Sequence, residues 1–397
     1  MWNPDWLRNR SFWLETGLFL FFIIAMVTVA IVKPGLPGTQ TTVTPITGLP
    51  AQLFFYAETD TATSITKVWR SSTDDINAKQ ELAAFSYPSD DPLAGRISPA
   101  GSSIALLIPG KDTVEAEGGE LWLLDIDNQT FNKVITGNYS WFAWKQDSQA
   151  LALLSQVTPM DEGSQSVGLE TRISKLNLLS GEITVIQDDN SSLDVKPLGW
   201  SNGGNEFVLM ALTSTGKWSV ISIQVESGSR ITRFSLSEND LLRNAWLSPS
   251  GAYILADMLR NNKASLMLYS LDGRQQYEIA SLGVGLFSDP TSFTAVWSPD
   301  GERILINQPA ASLSNTTWKT YNLHGGNGTP VFLGEVDPNH YLRPLDWSPD
   351  GKWFAMAESP FPYARLYVKE ISASDRLRLL LDNPDNRAAW LGWSTSN

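Results

Sequence analysis

An all-β chain of seven repeated four-stranded units, behind one apolar N-terminal helix, is the architecture that three observations predict. The first is a five-residue motif, intact at Trp297, Ser298, Pro299, Asp300, Gly301 and again at Trp347, Ser348, Pro349, Asp350, Gly351. The second is a period, because degraded copies begin at Ile97, Trp144, Trp200, Leu247 and Trp393, so that successive starts lie 47, 56, 47, 50, 50 and 46 residues apart. The third is the run from Phe12 to Val32, which is apolar except for Glu15, Thr16 and Thr28. Self-similarity at a fixed period marks a repeat array and takes precedence over local signals.

At the N-terminus, 21 residues from Phe12 to Val32 rise about 31 Å as a helix, enough for a bilayer core of about 30 Å. The run exceeds the apolar stretch of a secretory signal and lacks an Ala-x-Ala site, so residues 12–32 are expected to form an uncleaved transmembrane helix. Arg8 and Arg10 before it, against Lys33 after it, place residues 1–11 in the cytoplasm and the rest outside. Trp2, Trp6 and Trp13 suit the headgroup zone. Residues 33–50, rich in Pro, Gly and Thr, read as a semi-extended tether. The expectation is therefore a single-pass membrane protein with an extracytoplasmic domain over 51–397.

Within 51–397 each motif copy is a corner. Ser, Pro, Asp and Gly in succession suit a type I turn, in which Pro pre-sets φ, the polar side chains bond local backbone and Gly tolerates the exit conformation. A short apolar run follows each corner, as at Ser103 to Ile108, Phe207 to Leu212 and Tyr253 to Met258. A second run comes later, as at Leu121 to Asp125 and Arg365 to Val368, then a third, as at Ile183 to Ile186 and Ile231 to Phe234. With the segment entering the next corner, each unit holds four strands, which is the content of a β-propeller blade. Residues 51–97 carry three strands without a preceding corner, and Leu391 to Ser394 carry a corner start without a blade after it. Joined, the two fragments complete a seventh blade and close the ring; six blades are the alternative if one unit is irregular.

These motifs, with Leu271-Asp272-Gly273 closing a second strand, resemble the TolB-type, WD40-like bacterial propeller repeat over residues 51–397. The resemblance implies a protein-interaction platform of the cell envelope, or the propeller portion of a larger protein such as a peptidase; a ring that runs to the last residues leaves no room for an appended hydrolase domain.

Composition narrows the function classes. A net charge of −13 disfavours nucleic acid and anionic lipid surfaces and favours cationic partners. The chain has no Cys, so no disulfide framework exists. With two His, at 324 and 340, a zinc site of the usual ligands is not expected. Gly199-Trp200-Ser201-Asn202-Gly203 matches the nucleophile-elbow pattern, yet it falls in register with the blade corners and not at a strand-to-helix turn. Asp125-Ile126-Asp127-Asn128 is acidic but reads as a solvated turn and not a calcium loop.

Trp144, Trp200, Trp297, Trp347 and Trp393 share one repeat position and are expected to pack within or between blades. Trp141 and Phe142 are expected to line a face of the ring. Pro360, Phe361, Pro362 and Tyr363 form an apolar, rigid stretch in a blade connection and are the first candidate for a partner contact; the insertion from Thr158 to Gln165 is another. No catalytic constellation, cofactor or metal is expected. The function expected is a membrane-anchored binding or assembly module for an envelope or membrane-complex protein. The alternatives are a small-molecule or glycan sensor using the central channel and a metal-dependent propeller hydrolase.

Overall fold

The computed structural model of the chain describes residues 52–87, 93–109, 119–157, 170–189, 194–261, 263–284, 294–308, 317–323, 328–331, 341–359, 364–371, 378–383 and 386–395. They belong to one compact unit, Pro45–Asn397. Short apolar runs between polar corners make strands of nearly all of it, and the central ones are buried at almost every position because each sheet packs against a neighbour on both faces.

The first strands are β1 (Gln52–Asp60), β2 (Ile65–Ser72) and β3 (Gln80–Ser86). Seven strands then form one continuous sheet: β4 (Ala94–Ile97), β5 (Ser103–Ile108), β6 (Gly119–Asp125), β7 (Thr130–Trp144), β8 (Ala150–Val157), β9 (Glu170–Asn177) and β10 (Ile183–Asp189). The long β7 joins its two halves. Residues Thr130 to Tyr139 pair with β6, and Tyr139 to Trp144 pair with β8.

Four four-stranded antiparallel sheets follow in chain order. They are β11 (Asp194–Ser201), β12 (Glu206–Leu212), β13 (Trp218–Gln224) and β14 (Arg230–Ser235); then β15 (Asp240–Leu247), β16 (Tyr253–Arg260), β17 (Lys263–Ser270) and β18 (Gln276–Val284). Next come β19 (Thr294–Trp297), β20 (Arg303–Gln308), β21 (Thr317–Asn322) and β22 (Thr329–Val331), and β23 (Tyr341–Trp347), β24 (Trp353–Ser359), β25 (Ala364–Glu370) and β26 (Arg378–Asn383). The last strand, β27 (Asn386–Thr395), returns to β1, with Gln52 opposite Thr395 and Asp60 opposite Asn386. The sheet β27-β1-β2-β3 therefore joins the two ends of the described chain and removes the free edges each would leave.

Each pair of neighbouring sheets shares an apolar seam. Val208, Met210 and Val220 pack on Ile254, Met258 and Tyr269 in one seam; Leu255, Leu266 and Leu268 pack on Ile304, Ile306 and Tyr321 in the next. The seam at the joined ends is aromatic, with Phe54 stacked 5.8 Å from Trp390 and edge-on to Trp393 at 5.6 Å. Sheets stacked in succession through such seams, each with its first strand innermost, make a β-propeller.

The expected membrane topology is corrected here. Among the described residues no helix is long and apolar enough to cross a membrane; the only helical element is a 3-10 turn at Asn202–Gly204. The physical reason is that the described backbone satisfies its donors and acceptors in sheet ladders, which need short alternating runs and not one continuous apolar stretch. Reading the chain as a single-pass membrane protein with a cytoplasmic N-terminus and an extracytoplasmic propeller is accordingly not supported. Residues 1–11, the expected helix 12–32 and the tether 33–50 lie outside the described residues.

Candidate functional site

The repeat motif builds the inner end of each sheet. At the first intact corner Ser298 lies buried, its amide donates to the Arg303 carbonyl at 2.8 Å, and its hydroxyl accepts from the Arg303 amide at 2.9 Å. That hydroxyl also donates to the Asp300 carboxylate, which accepts from the Glu302 amide at 3.0 Å. The Ser298 hydrogen bond first, with help from Glu302, holds the Asp300 carboxyl below the usual carboxylate range. Gly301 closes the turn at φ +72°, where a side chain would be strained. The corner at Ser348, Pro349, Asp350, Gly351 repeats these bonds, with 2.9 Å from the Trp353 amide to Ser348 Oγ and 2.5 Å from Ser348 Oγ to Asp350.

Three of the five tryptophans at the repeat position reach back one unit. Trp144 Nε1 donates to the Arg96 carbonyl at 3.0 Å, Trp200 to Ala143 at 3.1 Å and Trp347 to Val296 at 3.3 Å. In every case the acceptor is the residue just before the same repeat position in the preceding unit, so these bonds stitch one innermost strand to the next. Trp297 and Trp393 occupy equivalent positions, and their indole nitrogens are buried without a partner.

Inside that stitched wall lies a cavity of about 960 Å³. Residues of β4, β7, β11, β15, β19, β23 and β27 all line it, so seven innermost strands converge on one space. Pro99, Pro249, Pro299 and Pro349 stand exposed on its rim. Trp141 and Phe142, singled out in the sequence, are half-buried in its wall, as are Trp246 and Trp297. The polar groups are few. Arg96 meets Asp346 at 3.7 Å, Asp346 also accepts from Trp390 Nε1 at 3.3 Å, and Lys196 lies 5.6 Å from the centre of the Trp218 ring. Asp194 and Asn244 complete the set. Rigid aromatic and proline surface broken by separate charges can hold an extended segment or a ring-shaped ligand.

A second, polar cleft of about 640 Å³ opens between the β11–β14 and β15–β18 sheets. Glu206 accepts from Arg233, with 2.5 Å between Oε2 and Nη2, and from Gln224 at 2.7 Å. Burial raises the Glu206 carboxyl, but Arg233, Gln224 and Ser222 together outweigh it and hold it below its usual range. Ser201 lines this cleft. Its hydroxyl is buried and without a hydrogen-bond partner, and the chain leaves it through a 3-10 turn into antiparallel β12. A nucleophile elbow needs a strand-to-helix turn, and this is a blade corner; His324 and His340 lie outside the described residues.

Among the described residues no three His, Asp or Glu side chains gather as a metal ligand set. Asp125 is engaged locally, accepting from the Asn128 amide at 2.9 Å and from its side chain at 3.0 Å. Pro360, Phe361, Pro362, Tyr363 and the insertion from Thr158 to Gln165 lie outside the described residues. The stitching bonds were missed by the sequence reading; the equal spacing of the tryptophans carried that signal, but their acceptors are carbonyls that leave no mark on the sequence.

No protein-family model matches the sequence, and no curated protein matches it. Solved structures match in fold. Acylaminoacyl peptidase from Pyrococcus horikoshii aligns at a TM-score of 0.56 with 14% identity, over 84% of this chain and 51% of that one, so this chain spans about half the peptidase. A protein from Lactobacillus plantarum aligns at 0.55 with 13% identity, over 86% and 99% of the two chains. Oligogalacturonate lyase from Vibrio parahaemolyticus aligns at 0.53 with 13% identity, over 83% and 85%. TolB from Acinetobacter baumannii aligns over 87% of this chain at a TM-score of 0.47. The likeness is one of fold, and a shared fold does not assign an activity.

Proposed function

We propose that the chain is a seven-bladed propeller that binds another protein at the mouth of its central cavity. The count follows from reading β7 as the last strand of one blade and the first of the next, which divides the seven-stranded sheet in two. What supports the function is the wall of that cavity. Seven rigid strands present exposed prolines beside half-buried Trp141, Phe142, Trp246 and Trp297, with Arg96, Lys196, Asp194 and Asp346 spaced between them. Aromatic anchors ringed by sparse charge are the composition of a binding patch, and the closed ring holds it without the ordering cost a loop would incur. The envelope role and the membrane attachment do not carry over to this reading.

Trp141 and Phe142 also favour a second reading, a glycan or small-molecule sensor, because planar rings on a concave wall stack on sugar faces. The test uses purified ring, wild type beside Phe142→Asp and Arg96→Glu. On the first reading a stoichiometric protein partner is captured by the wild type and lost by both variants, with folding unchanged by circular dichroism. A partner captured equally by all three would overturn the cavity reading. Capture of none, with a thermal shift on a glycan panel that Phe142→Asp abolishes, would favour the sensor.

A further inference from the structure

The outer rim of the ring shows one edge unlike the rest. Among the described residues seven large apolar side chains are exposed, and three of them, Leu179, Ile183 and Val185 at 95, 44 and 47%, lie within seven residues on the β9–β10 hairpin. The other outer strands are guarded. In β14 the exposed Ile231 sits between Arg230 and Arg233. In β18 Tyr277 adjoins Glu278, which pairs with Lys263 at 3.5 Å, while β3 carries a Glu81–Lys67 pair at 3.2 Å. The first half of β7 carries Lys133 paired with Glu120 at 3.2 Å, β22 is three residues long with Pro330 at its centre, and β26 has charges at Arg378 and Asp382. Charges, prolines and short length are how proteins keep sheet edges from pairing with other chains. In β10 the residues Ile183, Thr184, Val185, Ile186 and Gln187 carry neither charge nor proline.

The register shows which backbone groups are free to pair. The Asn177 amide donates to the Glu182 carbonyl at 2.9 Å, and Thr184 stands opposite Lys175, so the bonded pairs alternate through 182 and 184. Ile183 and Val185 occupy the intervening pairs, opposite Leu176 and Ser174. Their N–H and C=O groups therefore point away from the sheet, and β10 is the terminal strand of that sheet. A bulge at Ile186 ends the regular edge and turns that side chain into the core. The open edge is thus a short one with four outward backbone groups, flanked by Glu182 before it and Asp188 and Asp189 after it.

We propose that this edge accepts an extended segment of another protein by β-strand addition, and that the segment is apolar at alternate positions and basic at its ends. Backbone pairing to Ile183 and Val185 supplies affinity, and their side chains with Leu179 supply an apolar face. Glu182 before the edge and Asp188 and Asp189 after it in the sequence, on a chain of net charge −13, favour Lys or Arg there. A second copy of this chain fits worse. Antiparallel self-pairing about Val185 sets Glu182 opposite Asp188, and like charges directly opposite are destabilising. This surface is distinct from the cavity, so the proposal stands apart from the function proposed above.

The test measures fluorescence anisotropy of a labelled acetyl-Lys-Val-Thr-Ile-Thr-Lys-amide peptide on the full chain, beside a twin with Glu in place of both Lys. Val185→Pro removes an outward N–H and leaves the Thr184–Lys175 bonds in place; Val185→Lys leaves the backbone untouched and places a guarding charge on the edge. The Lys-ended peptide should bind, slow amide exchange at Ile183 and Val185, and lose about tenfold in affinity with either variant, as expected for one or two net hydrogen bonds. The Glu-ended twin should bind about tenfold more weakly. If Val185→Pro unfolds the blade, Val185→Lys carries the test alone. No saturable binding, equal binding of the twin, or no effect of Val185→Lys would overturn the proposal. A dimer by light scattering that Val185→Lys dissolves would make a second copy the occupant, which overturns it as well.

Discussion

Two corners of the same length, one at Ser348 and one at Ser201, end in opposite states, and they diverge at the residue that follows the serine. After Ser348 stands Pro349, whose ring fixes φ near −65° and directs the chain through a turn that places the Ser348 hydroxyl beneath the Trp353 amide at 2.9 Å. After Ser201 stands Asn202, which adopts φ +50°, a value closed to proline, and Gly203 and Gly204 follow at +65° and +88°. The turn forms one residue later, with the Asn205 amide donating to the Asn202 carbonyl at 3.2 Å. Ser201 is then buried with nothing to bond. The serine is common to both corners; the proline decides whether its hydroxyl caps the next strand. The corner at Trp144 shows that the backbone turn itself does not need the proline. Lys145 holds the serine position there, and the Lys145 amide still donates to Ala150 at 2.8 Å, with Ser148 at φ +60° in the glycine position.

The largest expected effect breaks the intact corner at its tryptophan. Trp347 is 3% exposed, packs on Phe354, Met356 and Leu342, donates to Val296 and carries the Arg303 guanidinium 5.0 Å over its ring. Trp347→Ala should cost about 3–5 kcal/mol, because it leaves both a cavity and a severed stitch between sheets. Urea unfolding reads this directly, and a cost under about 1 kcal/mol would show that the stitches are incidental.

Next comes Glu206, which occupies the place of Trp353 in the other corner, five residues after the serine. Its pairing with Arg233 and Gln224 replaces the apolar seam that Val208 and Met210 continue. Glu206→Gln should cost about 2 kcal/mol near neutral pH, less than a fully buried pair would, because Arg233 is one-quarter exposed. The carboxyl is depressed in the folded state, so its contribution is present above the ordinary glutamate value of 4.5 and is lost as pH falls through the lower folded value. The difference between wild type and variant should therefore shrink below about pH 4.5. A difference that is flat from pH 7 to 3 would mean that the ion pair contributes nothing.

This contrast also shows how far the sequence could be read. Strand positions were legible because short apolar runs are punctuated by corners: β5 spans Ser103–Ile108, the run expected for it, and the run expected from Ile183 begins β10. The join of β27 to β1 was legible from two incomplete fragments. What the repeat could not reveal was the hand of the turn at Asn202, since a degraded copy keeps the spacing and loses the residue that sets φ. The cavity was half legible. Trp141 and Phe142 were singled out, whereas Arg96, Lys196, Asp194 and Asp346 reach the same space from three strands and share no local pattern. The β10 edge was passed over, since its residues read as an ordinary strand until its exposure and register are known. The membrane reading rested on the apolar length of residues 12–32 and on the charges and tryptophans flanking it, which say what a segment is able to cross and not where the rest of the chain sits.

The smallest effects sharpen the comparison most. Ser348→Ala removes a hydroxyl that accepts from Trp353 and donates to Asp350, so it should cost about 1–2 kcal/mol. Ser201→Ala removes a buried hydroxyl, 3% exposed, that has no partner and is packed where a Cβ on Gly251 would come within 2.6 Å. Desolvating an unpaired hydroxyl is unfavourable, and alanine keeps the Cβ contact, so the same substitution should be neutral or stabilise by up to about 1 kcal/mol. Opposite signs for one chemical change at two equivalent positions would assign the difference to the turn that follows each serine. A loss above about 1 kcal/mol at Ser201 would mean that its hydroxyl does find a partner in solution, and the polar cleft beside Glu206 is the space from which that partner would come.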